Sequence, residues 1–202
     1  MISFGLSALL RVERPPNPAG AVGRELRERG VDLPDDWPAL YHADHVDSPP
    51  GAAVPEPAHV ARALAAAGVD PPDNAPRRAV VAAFDPTVET RADAPAALVA
   101  ACERGPVGVL ANAATPAFVR RSLLRSELDR DAFDAVCSSA ACGWRKPHPR
   151  AFETVARRLG GESTALTHVG RRAVDRGVRE AGGTFRDLRE TTLAALAAEW
   201  RA

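Results

Sequence analysis

Residues 143–161 read GWRKPHPRAFETVARRLGG, and the rest of the chain falls into order around them. From Pro147 to Gly161 the pattern predicts an amphipathic helix. Phe152, Val155 and Leu159 recur at spacings of three and four, proline stands in the first turn, and a glycine pair ends it. Just ahead sits Lys146, between a Trp-Arg pair and a Pro-His-Pro turn. It is the only lysine, since the 26 basic residues are otherwise all Arg.

Outward from this helix, strand and helix patterns alternate. Toward the C-terminus ALTHV (165–169) reads as a strand, AVDRGVREAGG (173–183) as a helix with a glycine stop, TFRDL (184–188) as a strand and 190–201 as a closing helix. Toward the N-terminus DAVCS (134–138) is a short strand, Thr115-Pro116 opens a helix through about Leu124, VGVLA (107–111) is a buried strand, and 93–104 is a helix ending at Gly105. Such alternation with short connections predicts an α/β fold with a doubly wound, mainly parallel sheet. Ligands bind such sheets outside the carboxyl ends of the strands. Attention therefore falls on the stretch after Phe4, the loop after Leu110, the region before Lys146 and the loop after Val169.

The apolar run ISFGLSALL (2–10) predicts one more buried strand. After it, prolines at 15, 16 and 18 mark a loop, and the period becomes helical with repeated breakers: AGAVGRELRERG (19–30), EPAHVARALAAAG (56–68) and DNAPRRAVVAAF (73–84). The expected organisation is an α/β core from 1–12 and 85–202, interrupted by an all-helical insert at 13–84.

Acidic and basic residues number 26 each, so the net charge is zero, which argues against a broad footprint for nucleic acid or an anionic membrane. No run approaches the roughly 18 apolar residues of a membrane span, and the N-terminus lacks a basic leader with a small-residue cleavage site. The reading is a soluble cytoplasmic protein. Cys102, Cys137 and Cys142 are an odd number with no zinc-like spacing and read as buried apolar residues rather than as disulfides or ligands.

Four motifs in order carry a family resemblance. LAN (110–112) follows a strand, GWRKPHPRAFETVARRLG (143–160) has Lys-Pro-x-Pro leading into a helix with an early aromatic, HVG (168–170) ends a strand, and AGG (181–183) follows. In these features, over nearly its whole length, the chain resembles the haloacid dehalogenase-like (HAD) hydrolase superfamily, most of whose members are phosphatases. The resemblance implies a Rossmann-like core, and a helical cap at 13–84. It implies an aspartate nucleophile after the first strand that forms an aspartyl-phosphate, and a second aspartate as acid/base. It also implies Mg²⁺ held by carboxylates, a hydroxyl residue on the phosphoryl group and a lysine neutralising it.

Against that pattern the catalytic positions are eroded. FGLSALL stands where the family has F-D-x-[DFY]-G-T-L, so Gly5 replaces the nucleophile, Ser7 the second acid, and Ala8-Leu9 the Gly-Thr pair. Ala111 replaces the hydroxyl residue and leaves Asn112 as the side-chain donor. Gly170 is kept, but Arg171 stands where a metal-binding aspartate belongs. Whether Asp175 is that motif's other acid stays open, because the segment to Ala181-Gly182 is shorter than the family's. Of the leading residues Lys146 survives. An arginine about 4 Å from Mg²⁺ would repel it by about 8 kcal/mol at an effective dielectric of about 20, so no cofactor is expected, and Mg²⁺ enters only if the family chemistry survives.

The expectation is a catalytically degenerate HAD-like protein whose crevice binds an anionic small molecule, for instance a phosphorylated one, through Asn112, Lys146, Gly170 and Arg171. Lys146 and Arg171 are expected to face one net-positive crevice. Two rivals stand beside this reading: an active hydrolase using unorthodox residues, and a protein-interaction module or inactive subunit with a protein partner or a second copy. YHADHVD (41–47) gathers histidines and aspartates but reads as a polar helix end or loop rather than a metal site. Asp85 reads as a loop acid, His148 as a turn residue, His168 as a strand residue, and Ser7 as lacking the adjacent base a nucleophile needs.

Overall fold

The N-terminal apolar run is split, not continuous. In the computed structural model, which describes Met1–Ala202, β1 (Ile2–Gly5) is buried at every position. The chain then turns through a single helical turn, α1 (Leu6–Leu9), and leaves as β2 (Leu10–Val12). The expected strand over 2–10 fails for a geometric reason. Its neighbours pair with it only as far as Gly5, and an extended chain rising about 3.3 Å per residue would carry its leucines past the sheet. The turn instead folds Leu6, Ala8 and Leu9 back into the core.

Four helices follow. α2 (Pro18–Arg27) is capped by Asn17, whose side-chain oxygen accepts from the Gly20 amide at 2.9 Å. α3 (Trp37–His42) occupies part of the stretch expected to be a polar helix end or loop. It buries Trp37 and Tyr41, and Trp37 Nε1 donates to the Ala19 carbonyl at 2.9 Å. α4 (Glu56–Ala66) buries Val60, Ala63 and Leu64, and α5 (Ala75–Ala83) buries Ala79 and Val80. α5 packs on α2 and α4, and the apolar side chains of this helical segment form one continuous cluster with the sheet's core. β3 (Val88–Thr90) pairs antiparallel with β2 as a two-stranded ribbon. With three partly exposed residues it carries no readable period.

From there the alternation holds: α6 (Ala94–Glu103), β4 (Val107–Ala111), α7 (Phe118–Leu124), β5 (Ala135–Ser138), the short α8 (Ser139–Cys142), α9 (Pro149–Arg158), β6 (Thr167–Gly170), β7 (Thr184–Asp187) and α10 (Leu193–Arg201). Five strands form an all-parallel sheet in the order β5-β4-β1-β6-β7. α9 covers one face, where Phe152, Val155 and Leu159 meet Leu110, Ala135 and Cys137. On the other face α6 and α10 pack together, with Phe4 and Trp200 in edge contact at 6.1 Å. The cysteines are all free, and burial differs from the expectation: Cys137 is buried, Cys142 half-buried and Cys102 exposed. No helix is long and apolar enough to cross a membrane.

The helix expected at 173–183 is only a 3-10 turn, Ala173–Val178. Tertiary contact decides this. Gly177 sits so close to the loop bearing Lys146 that a Cβ there would lie 2.1 Å from the Pro147 carbonyl oxygen. The Lys146–Pro147 peptide is cis. Because the clash is with backbone rather than a flexible side chain, Gly177→Ala is expected to destabilise the fold by about 1–3 kcal/mol, as overpacking typically does. Urea denaturation of the variant beside wild type checks this, and an unchanged midpoint contradicts it.

Candidate functional site

The crevice lies where the parallel strands end, and its floor is a buried ion pair. Lys146 Nζ lies 2.5 Å from Asp175 Oδ1 and donates also to the Leu110 carbonyl at 2.9 Å; the two side chains are 5% and 1% exposed. The loop bearing Lys146 is fixed by Asn112, whose Oδ1 accepts from the Lys146 amide and whose Nδ2 donates to the Lys146 carbonyl, both at 2.8 Å. Asp175 is held from the other side, where Oδ2 accepts from the amides of Arg171 and Arg172 at 3.0 and 2.9 Å. Asn112 is therefore a clamp on Lys146, which leaves little of its side chain for a ligand.

His168 extends the network into the sheet. Its Nε2 lies 3.3 Å from Asp175 Oδ1 and its Nδ1 2.7 Å from Ser3 Oγ, and both His168 and Ser3 are fully buried. Burial, with the Lys146 charge adding to it, pulls His168 down to about 4 against the opposing pull of Asp175, so the ring is neutral near pH 7. A neutral imidazole has one N–H, and an ionised carboxylate can only accept; Nε2 therefore carries the proton and Nδ1 accepts from Ser3. Burial pushes the Asp175 carboxyl up, but the hydrogen bond from His168 and the charge and hydrogen bond of Lys146 outweigh it and hold Asp175 below the usual carboxylate range.

Gly5 lies directly over this pair. A Cβ at Gly5 would meet the Asp175 carboxylate oxygens at 3.3 and 3.4 Å and Lys146 Nζ at 3.4 Å. The place where the resemblance puts a nucleophile is thus bare backbone with a Lys-Asp pair closed against it. Gly170 is required for the same approach, since a Cβ there would lie 2.4 Å from Asp175 Oδ2. Asp175 is the residue that sequence reasoning left undecided.

Ser7, Ala111 and Asn112 do line the crevice with Lys146, a cavity of about 380 Å³. Arg171 does not. It lines the adjoining hollow, and Arg172 takes its place in the crevice, so the expected pairing of Lys146 with Arg171 in one crevice is corrected by one residue. The backbone at 170–172 explains the swap, because both amides turn toward Asp175 and successive side chains diverge. The crevice's positive charge comes largely from arginines the sequence did not single out: Arg11, Arg14, Arg91 and Arg172, with no carboxylate among the lining residues. Arg14 donates to the Asn112 carbonyl at 3.2 Å and lies over the Phe118 ring at 5.1 Å, while Arg91 donates to the Ser7 carbonyl at 3.0 Å. No periodicity marks these residues, because they come from a ribbon and a loop.

These residues do not fit Mg²⁺. A hard divalent cation needs several free oxygen ligands. The crevice floor offers one carboxylate, Asp175, with both oxygens already accepting from nitrogen donors. No group of three metal-binding side chains exists elsewhere. In the 41–47 stretch His45 Nε2 contacts the Leu40 carbonyl at 2.7 Å, and beside it His59 Nε2 contacts the Tyr41 carbonyl at 2.7 Å while Tyr41 bonds Glu56. Asp85 ties its loop to α7 through Arg121 and Arg125 at 2.8 and 2.9 Å. His148 stacks on Trp144 at 4.3 Å and accepts from the Arg150 amide, and Ser7 is held through its carbonyl by Arg91 rather than through its hydroxyl by a base.

No family model and no curated protein matches the sequence. Among solved structures the fold is plain. The 2-haloacid dehalogenase from Pseudomonas syringae pv. Tomato DC3000 superposes with a TM-score of 0.63 at 19% identity, covering 98% of this chain and 98% of that one. CbbY from Rhodobacter sphaeroides, solved with phosphate, gives 0.57 at 17% identity over 91% and 83% of the two chains. A HAD family enzyme from Bacteroides thetaiotaomicron, solved with magnesium and inorganic phosphate, gives 0.54 at 13% identity over 92% of each. The chain has the HAD-like hydrolase fold.

Two outcomes follow from the buried network. Lys146→Met leaves Asp175 charged without its partner, and is expected to cost about 3–5 kcal/mol in denaturant unfolding. For His168 the folded value is depressed, so the unfolded state binds more protons, and its contribution is complete above pH 6.5 and lost as pH falls toward 4. Stability should therefore fall by roughly 3 kcal/mol across that window, and His168→Asn should flatten the profile there. A variant with the wild-type slope contradicts the assignment.

Proposed function

We propose that this HAD-like scaffold binds a small anionic molecule, such as a phosphorylated metabolite, and does not turn it over. The observation that carries this reading is the division of labour at the strand ends. The carboxylate nucleophile position is glycine with a Lys-Asp pair packed against it, whereas the crevice above is lined by Arg11, Arg14, Arg91 and Arg172 without a facing carboxylate. Guanidinium groups present planar donor forks that match phosphate and carboxylate oxygens. A lost covalent nucleophile costs several orders of magnitude in rate, and nothing beside Ser7 replaces it. The phosphate bound by CbbY and by the Bacteroides enzyme supports an anion as the ligand class.

In this reading the segment 13–84 acts as a cap over the crevice. It contributes Arg14 to the crevice wall and is joined to the sheet side by backbone bonds: the Ala53 amide donates to the Gly143 carbonyl at 2.9 Å, the Arg145 amide to the Gly51 carbonyl at 2.8 Å, and the Glu56 amide to the Ala114 carbonyl at 3.1 Å.

The test pairs binding with turnover. Calorimetry with orthophosphate should detect binding that Arg172→Ala weakens at least tenfold, about 1.4 kcal/mol. Hydrolysis of p-nitrophenyl phosphate should be absent with or without Mg²⁺. Gly5→Asp should restore nothing and should destabilise the protein, because the new carboxylate crowds Asp175. Turnover by wild type that Arg172→Ala abolishes overturns the degenerate reading in favour of an active hydrolase, and absence of any phosphate binding overturns the anion reading.

A further inference from the structure

The crevice does not end at Arg172. Beside it lies a second hollow of about 400 Å³, and the two share Arg11 and Arg91 as a common wall. Arg14 and Arg172 stand on the crevice side and Arg171 on the far side. Consecutive residues, Arg171 and Arg172, therefore send one guanidinium into each compartment, because the backbone between them is pinned through both amides to Asp175.

The charge along this row is poorly compensated. Only Arg11 has an ionic partner, Glu89 at 2.9 Å, and both side chains of that pair are more than half exposed. Arg14 and Arg91 donate to backbone carbonyls, and neither Arg171 nor Arg172 forms a salt bridge with any carboxylate. The hollow also holds Asp93 and Glu89 at its wall, so its surplus is smaller than the crevice's. The crowding is felt within the row. Partial burial and then Arg172 pull Arg14 below its ordinary value, against Glu56; partial burial and then Arg171 and Arg11 do the same to Arg91, against Glu89. Like charges held this close repel, and an anion spanning them relieves the repulsion at both places at once.

We infer that the ligand carries two phosphate groups, one seated in the crevice by Arg14 and Arg172 and the other in the adjoining hollow by Arg171, with Arg91 and Arg11 between them. This rests on the anion-binding reading above and narrows it from any anion to a bisphosphorylated class. Two linked groups also gain affinity by effective concentration, since the second binds intramolecularly once the first is seated.

Calorimetry at fixed ionic strength with orthophosphate and linear tripolyphosphate tests it, because tripolyphosphate presents separated terminal phosphates without a bulky frame. Wild type should bind tripolyphosphate at least tenfold tighter than orthophosphate. Arg171→Ala should lower that ratio at least fivefold. Arg172→Ala should weaken both probes and keep the ratio within twofold, and Arg130→Ala, an exposed arginine on another face, should change neither. Orthophosphate binding with a ratio near one, or a ratio that Arg171→Ala leaves intact, overturns the two-phosphate inference while the anion reading stands. Failure of both probes to bind overturns both.

Discussion

Lys146 and Asp175 meet at 2.5 Å with side chains only 5% and 1% exposed, and five segments of chain are arranged around that meeting. Removing two charges from water costs several kcal/mol each, and their attraction offsets this only when the remaining donors and acceptors are also satisfied. Here they are. Lys146 has the Leu110 carbonyl as well as the carboxylate, and Asp175 has two backbone amides and an imidazole. The ends of β1, β4 and β6, the loop before α9 and the turn at 173–178 must all be in register for this to hold. Three glycines follow from it. Gly5, Gly170 and Gly177 each stand where a Cβ would meet the pair or the loop that carries it.

The pair also explains why one lysine persists in a chain of arginines. Nζ is a compact donor on a flexible stem, and it reaches a carbonyl and a carboxylate from a site bounded by backbone at Gly5. A planar guanidinium presents its donors in a wider, rigid fork. Arginine does fit the open crevice above, where its forks face a cavity instead of a wall. The two basic residue types are thus divided by geometry, with the lysine in the buried pair at the crevice floor and the arginines along the open crevice wall.

That division gives the chemistry its direction. A scaffold that handles phosphate by covalent attack needs a free carboxylate and a cation to clamp the oxygens. In this chain the carboxylate beside Gly5 already accepts from lysine and backbone donors, and no carboxylate lines the crevice above it. On the proposed reading the arginines along the crevice, with no carboxylate among its lining residues, make an arrangement suited to holding an anion.

The sequence by itself determined the alternation of strands and helices from 93 to β6, the closing strand and helix, the apolar face of α9 and the helical character of 18–83, because periods of 3.6 and short apolar runs express burial directly, whereas the helix expected at 173–183 is a 3-10 turn. It also marked Gly5, Ala111 and Lys146 as motif positions. Tertiary structure alone decided the rest. The break of the first strand after Gly5 depends on where its partners end, and the ribbon of β2 and β3 is too short to show a period. Asp175 meets Lys146 because the turn at 173–178 packs against the loop that carries the lysine. Which of Arg171 and Arg172 faces the crevice turns on two amides pinned to one carboxylate, and the gathering of Arg11, Arg14 and Arg91 joins residues far apart along the chain. Local pattern encodes which side of an element is buried. It does not encode which elements meet, and a site made from loop and ribbon side chains exists only where they meet.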